Sequence, residues 1–264
     1  MTHTTLGTAL VTGASSGIGA VYADRLAARG YDLILVARDR EKLNTLARDI
    51  STRTGRSVDV LAADLLDAAG LAKVEATLQQ DASITLLVNN AGVGTHTPLL
   101  DSKVAAMHRM VDLNVTAPMR LVYAAAPGFV SRGHGAIINI SSIASISPET
   151  LNGVYGGTKA FMTAFSQSLH HELGAKGVRV QAVLPGATAT DFWATGGLPV
   201  ENLPSEIVMR ATDLVDAALV GFDRGEVVTI PALSDAAQWD AFEAARQAMA
   251  PNLSSNTPAA RYRA

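Results

Sequence analysis

The sequence predicts an α/β protein built on a doubly wound parallel sheet of about seven strands, with helices on both faces. Short apolar runs of Val, Ile, Leu and Ala alternate along the chain with longer segments of helical periodicity. Most of the short runs are continuously apolar, which is typical of strands covered on both faces. Strand–helix–strand repetition with right-handed crossovers gives a doubly wound sheet. Because neither an internal repeat nor an interdomain linker is evident, we expect a single domain over residues 1–264.

The predicted strands follow one another with room for crossover helices between them. The strands are residues 8–12, 32–37, 57–62, 84–89, 135–140, 179–184 and 226–230. The first three crossover helices are residues 18–29, 40–52 and 65–79. Since parallel strands need such crossovers, this order favours one continuous sheet.

Two longer helical segments are predicted in the second half of the chain. Within residues 156–173, an apolar row on one face is formed by Phe161, Phe165, Leu169 and Leu173. Pro118 interrupts the other segment, residues 99–130, and is expected to kink or divide it. Glycines and prolines between positions 196 and 204 predict a loop-rich insertion, and residues 251–264 are expected to form a frayed or partner-dependent tail.

Composition excludes several classes of protein. Hydrophobic residues make up 48% of the chain and charged residues 17%, below the roughly 25% of an average soluble domain. Extensive disorder is therefore excluded, and part of the surface is expected to be buried between subunits. A formal net charge of −3 provides no basic field for nucleic acid. The lack of cysteine excludes disulfides, thiolate nucleophiles, iron–sulfur clusters and Cys-ligated zinc.

Targeting signals are not evident in the sequence. No segment approaches the ~18 uninterrupted apolar residues that a membrane helix requires. Residues 1–8 do not combine a basic residue with a long apolar stretch, so we expect neither a signal peptide nor a membrane span. A cytoplasmic protein is the expectation.

The first strand runs directly into a glycine-rich turn that precedes a helix. The turn contributes the residues Gly13, Ser15, Ser16, Gly17, Ile18 and Gly19. Its glycines allow a sharp turn and close approach of the backbone to a pyrophosphate, and the helix N-terminus supplies positive charge. The spacing is G-x-x-x-G-x-G, unlike the G-x-G-x-x-G of other dinucleotide folds. A plain tight turn between strand and helix is the structural alternative.

The same residues also match G-x-S-x-G, in which Ser15 would be the nucleophile of a hydrolase. Asp64 and His170 follow in an order that such a triad permits. However, an elbow at residue 15 leaves no room for the strands that normally precede it. The hydrolase is therefore a remote alternative.

The end of the second strand indicates which dinucleotide is bound. A carboxylate at this place binds the ribose 2′-hydroxyl, whereas a nearby arginine accommodates a 2′-phosphate. Arg38 occupies this place, so NADP(H) is favoured over NAD(H). The neighbouring Asp39 is expected to weaken the local attraction for phosphate.

Four further motifs follow in order: Asn89-Asn90-Ala91-Gly92, Asn114, Ser142 and Tyr155-Gly-Gly-Thr-Lys159. Together with the T-G-x-x-x-G-I-G turn and the Y-x-x-x-K pair, they resemble the short-chain dehydrogenase/reductase family over residues 7–192. The resemblance implies a Rossmann-type subunit, a nicotinamide cofactor and a Ser–Tyr–Lys centre assisted by Asn114, which would hold a water linking Lys159 to solvent. It assigns residues 5–192 to cofactor and catalysis and residues 193–250 to a substrate loop and C-terminal elements.

The resemblance also extends the set of expected cofactor contacts. It places Asp64 beside the adenine, and the carboxamide of the nicotinamide near a loop that contains Thr188 and Thr190. The remaining expected contacts are Leu65, Asn90, Ala91, Gly92, Pro185 and Gly186, with Tyr155 and Lys159 of the catalytic group.

The catalytic residues also make chemical sense by themselves. Hydride transfer to or from a carbonyl carbon needs a partner that moves a proton at the oxygen, and Tyr155 can act as this general acid/base. A free phenol has a pKa near 10, so we expect the charge of Lys159, on the same helical face, to stabilise the phenolate. Ser142 would polarise the substrate oxygen. The resemblance to the family, in which the serine stands thirteen residues before the tyrosine, favours it over the adjacent Ser141.

These observations predict an oxidoreductase that transfers a hydride between NADP(H) and a carbonyl compound or secondary alcohol. A catalytically silent NADP(H)-binding sensor or scaffold is the alternative, but such a protein has no need of the triad. Segments 93–98, 143–153 and 194–209 carry few charges, which suggests an uncharged, fairly apolar small-molecule substrate.

No metal and no macromolecular ligand are expected. His170-His171-Glu172 lacks the second histidine of H-E-x-x-H, because Ala175 occupies that position. Neither nucleic acid nor a membrane is an expected partner. The family implies a homotetramer or homodimer, with the apolar outer faces of the two long helices as the contact.

Overall fold

A computed structural model of the chain describes residues 6–263. Residues 1–5 and Ala264 lie outside the described residues, and with them most of the segment considered for a signal peptide, the first residue of the predicted core and the last residue of the predicted tail. The described residues fall into two compact units, the first extending to Pro231 and the second beginning at Ala232.

The first unit is built on a parallel sheet of seven strands in the order β3-β2-β1-β4-β5-β6-β9. Its strands are β1 Thr8–Thr12, β2 Asp32–Ala37, β3 Val58–Ala62, β4 Ile84–Asn89, β5 Gly135–Ile140, β6 Val178–Val183 and β9 Val228–Thr229. A second, two-stranded parallel sheet is formed by β7 Thr188–Ala189 and β8 Met209–Arg210. The order reverses between β1 and β4, which makes the carboxyl ends of these two strands the expected crevice of a doubly wound sheet.

Helices cover both faces of the large sheet. They are α1 Gly17–Ala28, α2 Arg40–Thr54, α3 Ala68–Gln80, α4 Val104–Val111, α5 Ala117–Arg132, α6 Gly153–Leu173, the short α7 Phe192–Thr195 and α8 Ala211–Asp223. Two apolar cores result. One packs α1 and α8 on the sheet and includes Tyr22 and Leu219, and the other packs α3 and α5 and includes Leu121 and Phe129.

The sequence predicts the large sheet and most of its helices correctly. β1, β2, β4 and β5 have the predicted bounds, whereas β9 is confined to two residues of the five predicted. The third crossover helix begins at Ala68 rather than at residue 65, because the Asp67 side chain accepts a hydrogen bond from the Gly70 amide and caps the helix there.

The long segment around Pro118 is divided, as predicted, but by a π-helical turn. Residues Asp112–Thr116 form this turn between α4 and α5, and Pro118 lies in the first turn of α5, where its missing N–H costs nothing. Pro127 lies inside α5. A π turn adds a residue to the helical path and leaves backbone groups outside the regular ladder.

The second unit contains α9, Ala236–Met249, followed by short 3₁₀ turns. Asp235 caps α9 by accepting a hydrogen bond from the Ala237 amide, and Trp239 stacks on Phe242 with ring centres 5.3 Å apart. No side chain of α9 is buried. The predicted loop-rich insertion, over positions 196–204 in the first unit, contains one short 3₁₀ turn, Val200–Asn202, and lies between α7 and β8.

Candidate active site

The glycine turn between β1 and α1 adopts a backbone that only glycine supports easily. Gly13 has φ +65° and Gly17 has φ +54°, both in the left-handed region. A Cβ on Gly19 would overlap the carbonyl oxygen of Gly13. Ser16, the N-cap residue of α1, makes no side-chain capping bond, so the first amides of this helix have no side-chain acceptor from their cap. The turn thus fits the phosphates of a dinucleotide.

A set of hydrogen bonds holds this turn against the end of β4. The Thr12 hydroxyl accepts hydrogen bonds from the Asn90 amide at 3.0 Å and the Ala91 amide at 3.1 Å. The Asn90 side chain in turn donates to the carbonyl oxygens of Thr12 at 2.9 Å and Gly13 at 3.2 Å. The Asn90 side chain therefore fixes the turn, and Thr12 is a functional position that sequence analysis missed.

Two arginines flank the N-cap of α2. Arg38 and Arg40 are exposed, and neither has an ion-pair partner within residues 6–263. The Asp39 carboxylate accepts a hydrogen bond from the Lys42 amide at 3.0 Å and caps α2. The weakening of phosphate binding that we expected from Asp39 is thereby reduced, because its charge is directed into the N-terminus of α2. Arg40 was not among the sequence-predicted residues.

Asp64 and Leu65 follow β3 at the same edge of the sheet. The Asp64 carboxylate accepts a hydrogen bond from the Leu66 amide at 2.9 Å, and Leu65 is buried. These contacts hold the loop after β3. The family resemblance implies that this loop lies beside the adenine.

Ser142, Tyr155 and Lys159 are brought together in the interior. Tyr155 and Lys159 lie one turn apart on α6 and are 5% and 6% exposed. The Lys159 Nζ lies 5.8 Å from the centre of the Tyr155 ring and donates to the Ile140 carbonyl oxygen at 2.9 Å. Ser142 follows β5, and its hydroxyl lies near enough to that of Tyr155 to lower the pKa of the phenol.

The two adjacent serines have different surroundings. The Ser141 hydroxyl lies 2.7 Å from the Lys159 carbonyl oxygen, to which it donates, and 2.8 Å from the Thr163 hydroxyl. It therefore fastens β5 to α6. Ser142 is the serine of the pair that acts on the pKa of Tyr155.

Burial controls the protonation of this group. It raises the pKa of Tyr155 to about 12, an effect that the hydrogen bond from Ser142 partly opposes. Burial also lowers the pKa of Lys159 to about 8. The net lowering of the tyrosine pKa that we expected from Lys159 is not found, because burial of the phenol raises this pKa.

Asn114 lies in the π turn and is 2% exposed. Its side-chain oxygen accepts from the Val93 amide at 2.9 Å, and its side-chain nitrogen donates to the Val93 carbonyl at 2.8 Å and to the Thr158 hydroxyl at 3.1 Å. Asn114 thus holds the loop after β4 beside α6. A Cβ on Gly92 would contact both Asn114 and the Lys159 Nζ, so a glycine keeps this approach open.

The loop after β6 faces the glycine turn. Its Pro185 carbonyl accepts a hydrogen bond from the Ile143 amide at 3.0 Å. The Thr188 hydroxyl donates to the Gly186 carbonyl at 3.1 Å, and a Cβ on Gly17 would lie 3.1 Å from the Thr190 methyl group. The predicted residues of both segments therefore border one crevice.

The surroundings of Tyr155 are apolar. Met110, Ala144 and Tyr155 form a small buried cluster. Partly buried side chains packed against it are Val93, Met107, Leu151, Val154 and Phe192. Asn152, another residue that sequence analysis missed, caps α6 by accepting from the Val154 amide and donates to the Thr97 carbonyl at 2.6 Å, which joins α6 to the loop over residues 93–98.

Other predicted features lie away from this crevice. His170 and His171 line a cavity of 490 Å³ with Arg179 and Glu226, beside the amino end of β6. His170 does not approach Ser15, so the hydrolase alternative gains no support. Within residues 6–263, no three His, Asp or Glu side chains are grouped as metal ligands. In the same part of the chain, no helix combines the length and apolarity needed to cross a membrane.

Known proteins share this architecture. A family profile described as short chain dehydrogenase matches residues 7–197. A short-chain dehydrogenase from Sphingobium yanoikuyae in complex with NADPH is 49% identical, with a TM-score of 0.95 over 98% of this chain and 100% of that chain. The bulky-bulky ketone specific alcohol dehydrogenase from Comamonas testosteroni is 45% identical, with a TM-score of 0.90 over 98% and 99% of the two chains.

A curated relative of greater length adds to these matches. The very-long-chain 3-oxoacyl-CoA reductase of Bos taurus is 38% identical over 189 residues, which are 69% of this chain and 59% of the bovine protein. Because the profile spans residues 7–197 and the two solved structures superpose over nearly the whole chain, this protein belongs to the short-chain dehydrogenase/reductase family.

Proposed function

We propose that the protein transfers a hydride between NADP(H) and a ketone or secondary alcohol, with Tyr155 as the general acid/base. The observation that carries the proposal is the joint placement of Ser142, Tyr155 and Lys159 beside a glycine turn that fits a dinucleotide. The Sphingobium structure in complex with NADPH and the Comamonas alcohol dehydrogenase support it.

The protein's own residues manage the proton. A bound nicotinamide would supply or accept the hydride. With its pKa raised to about 12, Tyr155 is protonated at neutral pH, which is the form that donates a proton to a ketone oxygen during reduction. Lys159, with a pKa lowered to about 8, is still charged at pH 7 and stabilises the negative charge left on the phenolate. Ser142 holds the reacting oxygen beside the phenol.

The decisive experiment compares the wild type with Tyr155→Phe while NADPH oxidation is followed on a panel of ketones. We expect the variant to lose roughly 10²–10⁴-fold in kcat, the range typical of general acid–base catalysis, and to keep its affinity for NADPH. Wild-type turnover in the variant would refute the role of Tyr155. NADPH binding without any turnover by the wild type would instead favour the silent sensor or scaffold.

We also propose that Arg38 selects NADP(H) over NAD(H) by pairing with the 2′-phosphate. Its exposed guanidinium is free of ion pairs in the described part of the chain, and Asp39 is engaged in capping α2. Arg38→Asp is expected to raise the dissociation constant of NADPH at least tenfold more than that of NADH, since it replaces attraction by repulsion. Equal changes for the two cofactors would contradict the assignment.

We propose an uncharged, fairly apolar substrate, because the cluster around Tyr155 is apolar. The Comamonas enzyme, specific for bulky-bulky ketones, suggests a ketone with a large group on each side of the carbonyl. A homotetramer or homodimer through the outer faces of α5 and α6 and a cytoplasmic location stay predictions.

A further inference from the structure

Phe192 covers the side chain that moves the proton. It begins α7, directly after the loop that borders the glycine turn, and its ring centre lies 5.8 Å from that of Tyr155. Tyr155 itself is only 5% exposed. A ketone whose oxygen reaches the Tyr155 hydroxyl must therefore fit beside the Phe192 ring or displace it.

Gly94 provides the space in which the Phe192 ring lies. A Cβ built on Gly94 would overlap the Phe192 Cζ, and it would lie 3.1 Å from the Phe192 Cε2 and 3.0 Å from the Tyr155 Cε2. Any other residue at position 94 would push the phenylalanine ring away from its place. Gly94 and Phe192, which are distant in sequence, thus form a complementary pair.

A hydrogen bond keeps the two segments of this pair together. His96 Nδ1 lies 3.0 Å from the Gly196 carbonyl oxygen, and Gly196 is itself bonded through its amide to the Phe192 carbonyl at 2.9 Å. A Cβ on Gly196 would contact the Gly94 carbonyl at 3.1 Å. The position of the ring is therefore fixed from both sides.

We propose that Phe192, seated on Gly94 and against Tyr155, limits the size of one of the two groups that flank the substrate carbonyl. The ring is an apolar wall beside the proton-donating phenol, and its backbone is held by the contact between the loops. This inference rests on the proposed ketone reductase activity and names a residue that sets its substrate range.

The test measures a ratio, so that a general loss of activity cancels. We expect Phe192→Ala to raise the ratio of kcat/KM for benzophenone to that for acetophenone about tenfold or more, because the two ketones differ only in one flanking group. The dissociation constant of NADPH is expected to stay unchanged. Phe165→Ala is the matched control, since Phe165 lies on the same helix as Tyr155 but stacks on Phe161, and the ratio should not change.

A double-mutant cycle tests the pairing with Gly94. In the wild type, Gly94→Ala is expected to lower kcat/KM for acetophenone by roughly 100-fold, because it displaces the ring. In the Phe192→Ala background the loss should be less than about tenfold, since only the contact with Tyr155 is left.

The outcomes separate this inference from the proposed function. If the wild type reduces acetophenone but Phe192→Ala leaves the ratio unchanged, the size limit is refuted and the reductase activity stands. Equal losses from Gly94→Ala in both backgrounds refute the pairing. If the wild type fails to oxidise NADPH with any of the ketones tested, both the reductase activity and the size limit are refuted.

Discussion

Lys159 carries its charge where burial makes a charge costly. The ammonium has one protein acceptor at 2.9 Å, the Ile140 carbonyl, and its residue is 6% exposed. Burial therefore lowers its pKa to about 8. The charge is retained at neutral pH only at a cost in folding stability, which supports the catalytic role that we propose for Lys159.

The pKa of Lys159 predicts the pH dependence of the reaction. Below pH 8 the ammonium is charged and stabilises the phenolate that forms when Tyr155 donates its proton. Above pH 8 the ammonium loses its proton, and this stabilisation is lost. We expect kcat/KM for NADPH in ketone reduction to fall as the pH rises through about 8, while Tyr155 stays protonated. Steady-state rates between pH 6 and 10 check this, with the exposed Lys176→Met as the control that keeps the same profile. A flat profile would contradict the prediction.

The same burial predicts that Lys159→Met stabilises the fold at pH 7. A pKa lowered from 10.5 to about 8 corresponds to about 3 kcal/mol of destabilisation, and the lost hydrogen bond returns about 1 kcal/mol. The variant should gain about 2 kcal/mol in urea unfolding at pH 7 and lose activity. The penalty is fully present below pH 8 and shrinks as the pH rises to about 10.5, so the advantage of the variant should vanish below that pH and then reverse by up to about 1 kcal/mol, the contribution of the hydrogen bond. A less stable variant at pH 7 would refute the prediction.

At the residue scale, the candidate catalytic side chains are easier to predict from the sequence than the side chains that hold them in place. Ser142 is chosen over Ser141 because its offset from Tyr155 matches the family pattern, and in the structure its side chain acts on the pKa of Tyr155. Thr12 and Asn152 are missed because their partners, the amides of Asn90 and Ala91 and the carbonyl of Thr97, come from distant segments. The pKa of Tyr155 is misjudged for a similar reason, since burial depends on the whole fold.

The π turn between α4 and α5 is an element whose purpose is visible in its contacts. It directs Asn114 inward, where both backbone groups of Val93 pair with its amide. Turns of this kind recur at functional sites because the extra residue redirects a side chain. Here the turn fixes the loop after β4 against the helix that carries Tyr155.

Asn114→Ala is expected to destabilise the protein by about 1–3 kcal/mol, because it leaves partly buried backbone groups of Val93 without their side-chain partner. The loop would loosen, so KM for NADPH should also rise. Chemical denaturation and steady-state kinetics measure the two effects. Asn44→Ala, an exposed asparagine on α2, should change neither; an effect of Asn114→Ala no larger than this control would argue against the role.

Most elements were predictable because buried strands read as continuous apolar runs and buried helix faces as apolar residues at helical spacing. β1, β2, β4 and β5 are continuous apolar runs and have the expected bounds. α9 shows no such pattern, since none of its side chains is buried. The π turn was not predictable either, because it is stabilised by hydrogen bonds between the Asn114 side chain and the Val93 backbone rather than by an apolar pattern.

At the scale of the whole molecule, apolar surface is left on α5 and α6. Tyr123 on α5 is 71% exposed, and Phe161 and Phe165 on α6 stack with ring centres 5.3 Å apart. Charged residues are also scarce, at 17% of the chain. These faces are suited to isologous contact between copies.

We expect the protein to be a homo-oligomer, and Tyr123→Glu to reduce its mass to that of a monomer by burying an unpaired charge in the contact. Light scattering after size-exclusion chromatography measures this at micromolar concentration. Tyr262→Glu is the control, because Tyr262 is 72% exposed in the second unit. A monomeric wild type would refute the prediction, and dissociation by the control alone would place the contact in the second unit.

The bonds between Thr12 and Asn90 have a consequence for folding. The two residues are 78 positions apart, so the turn is completed only when β4 has docked beside β1. Closing so long a loop costs entropy, and pairing of distant parallel strands is slow. A chain leaving the ribosome thus carries its glycine motif well before it can hold a nucleotide. NADPH would act on the finished fold by mass action, so its concentration would set how much protein stays folded rather than how fast the chain folds.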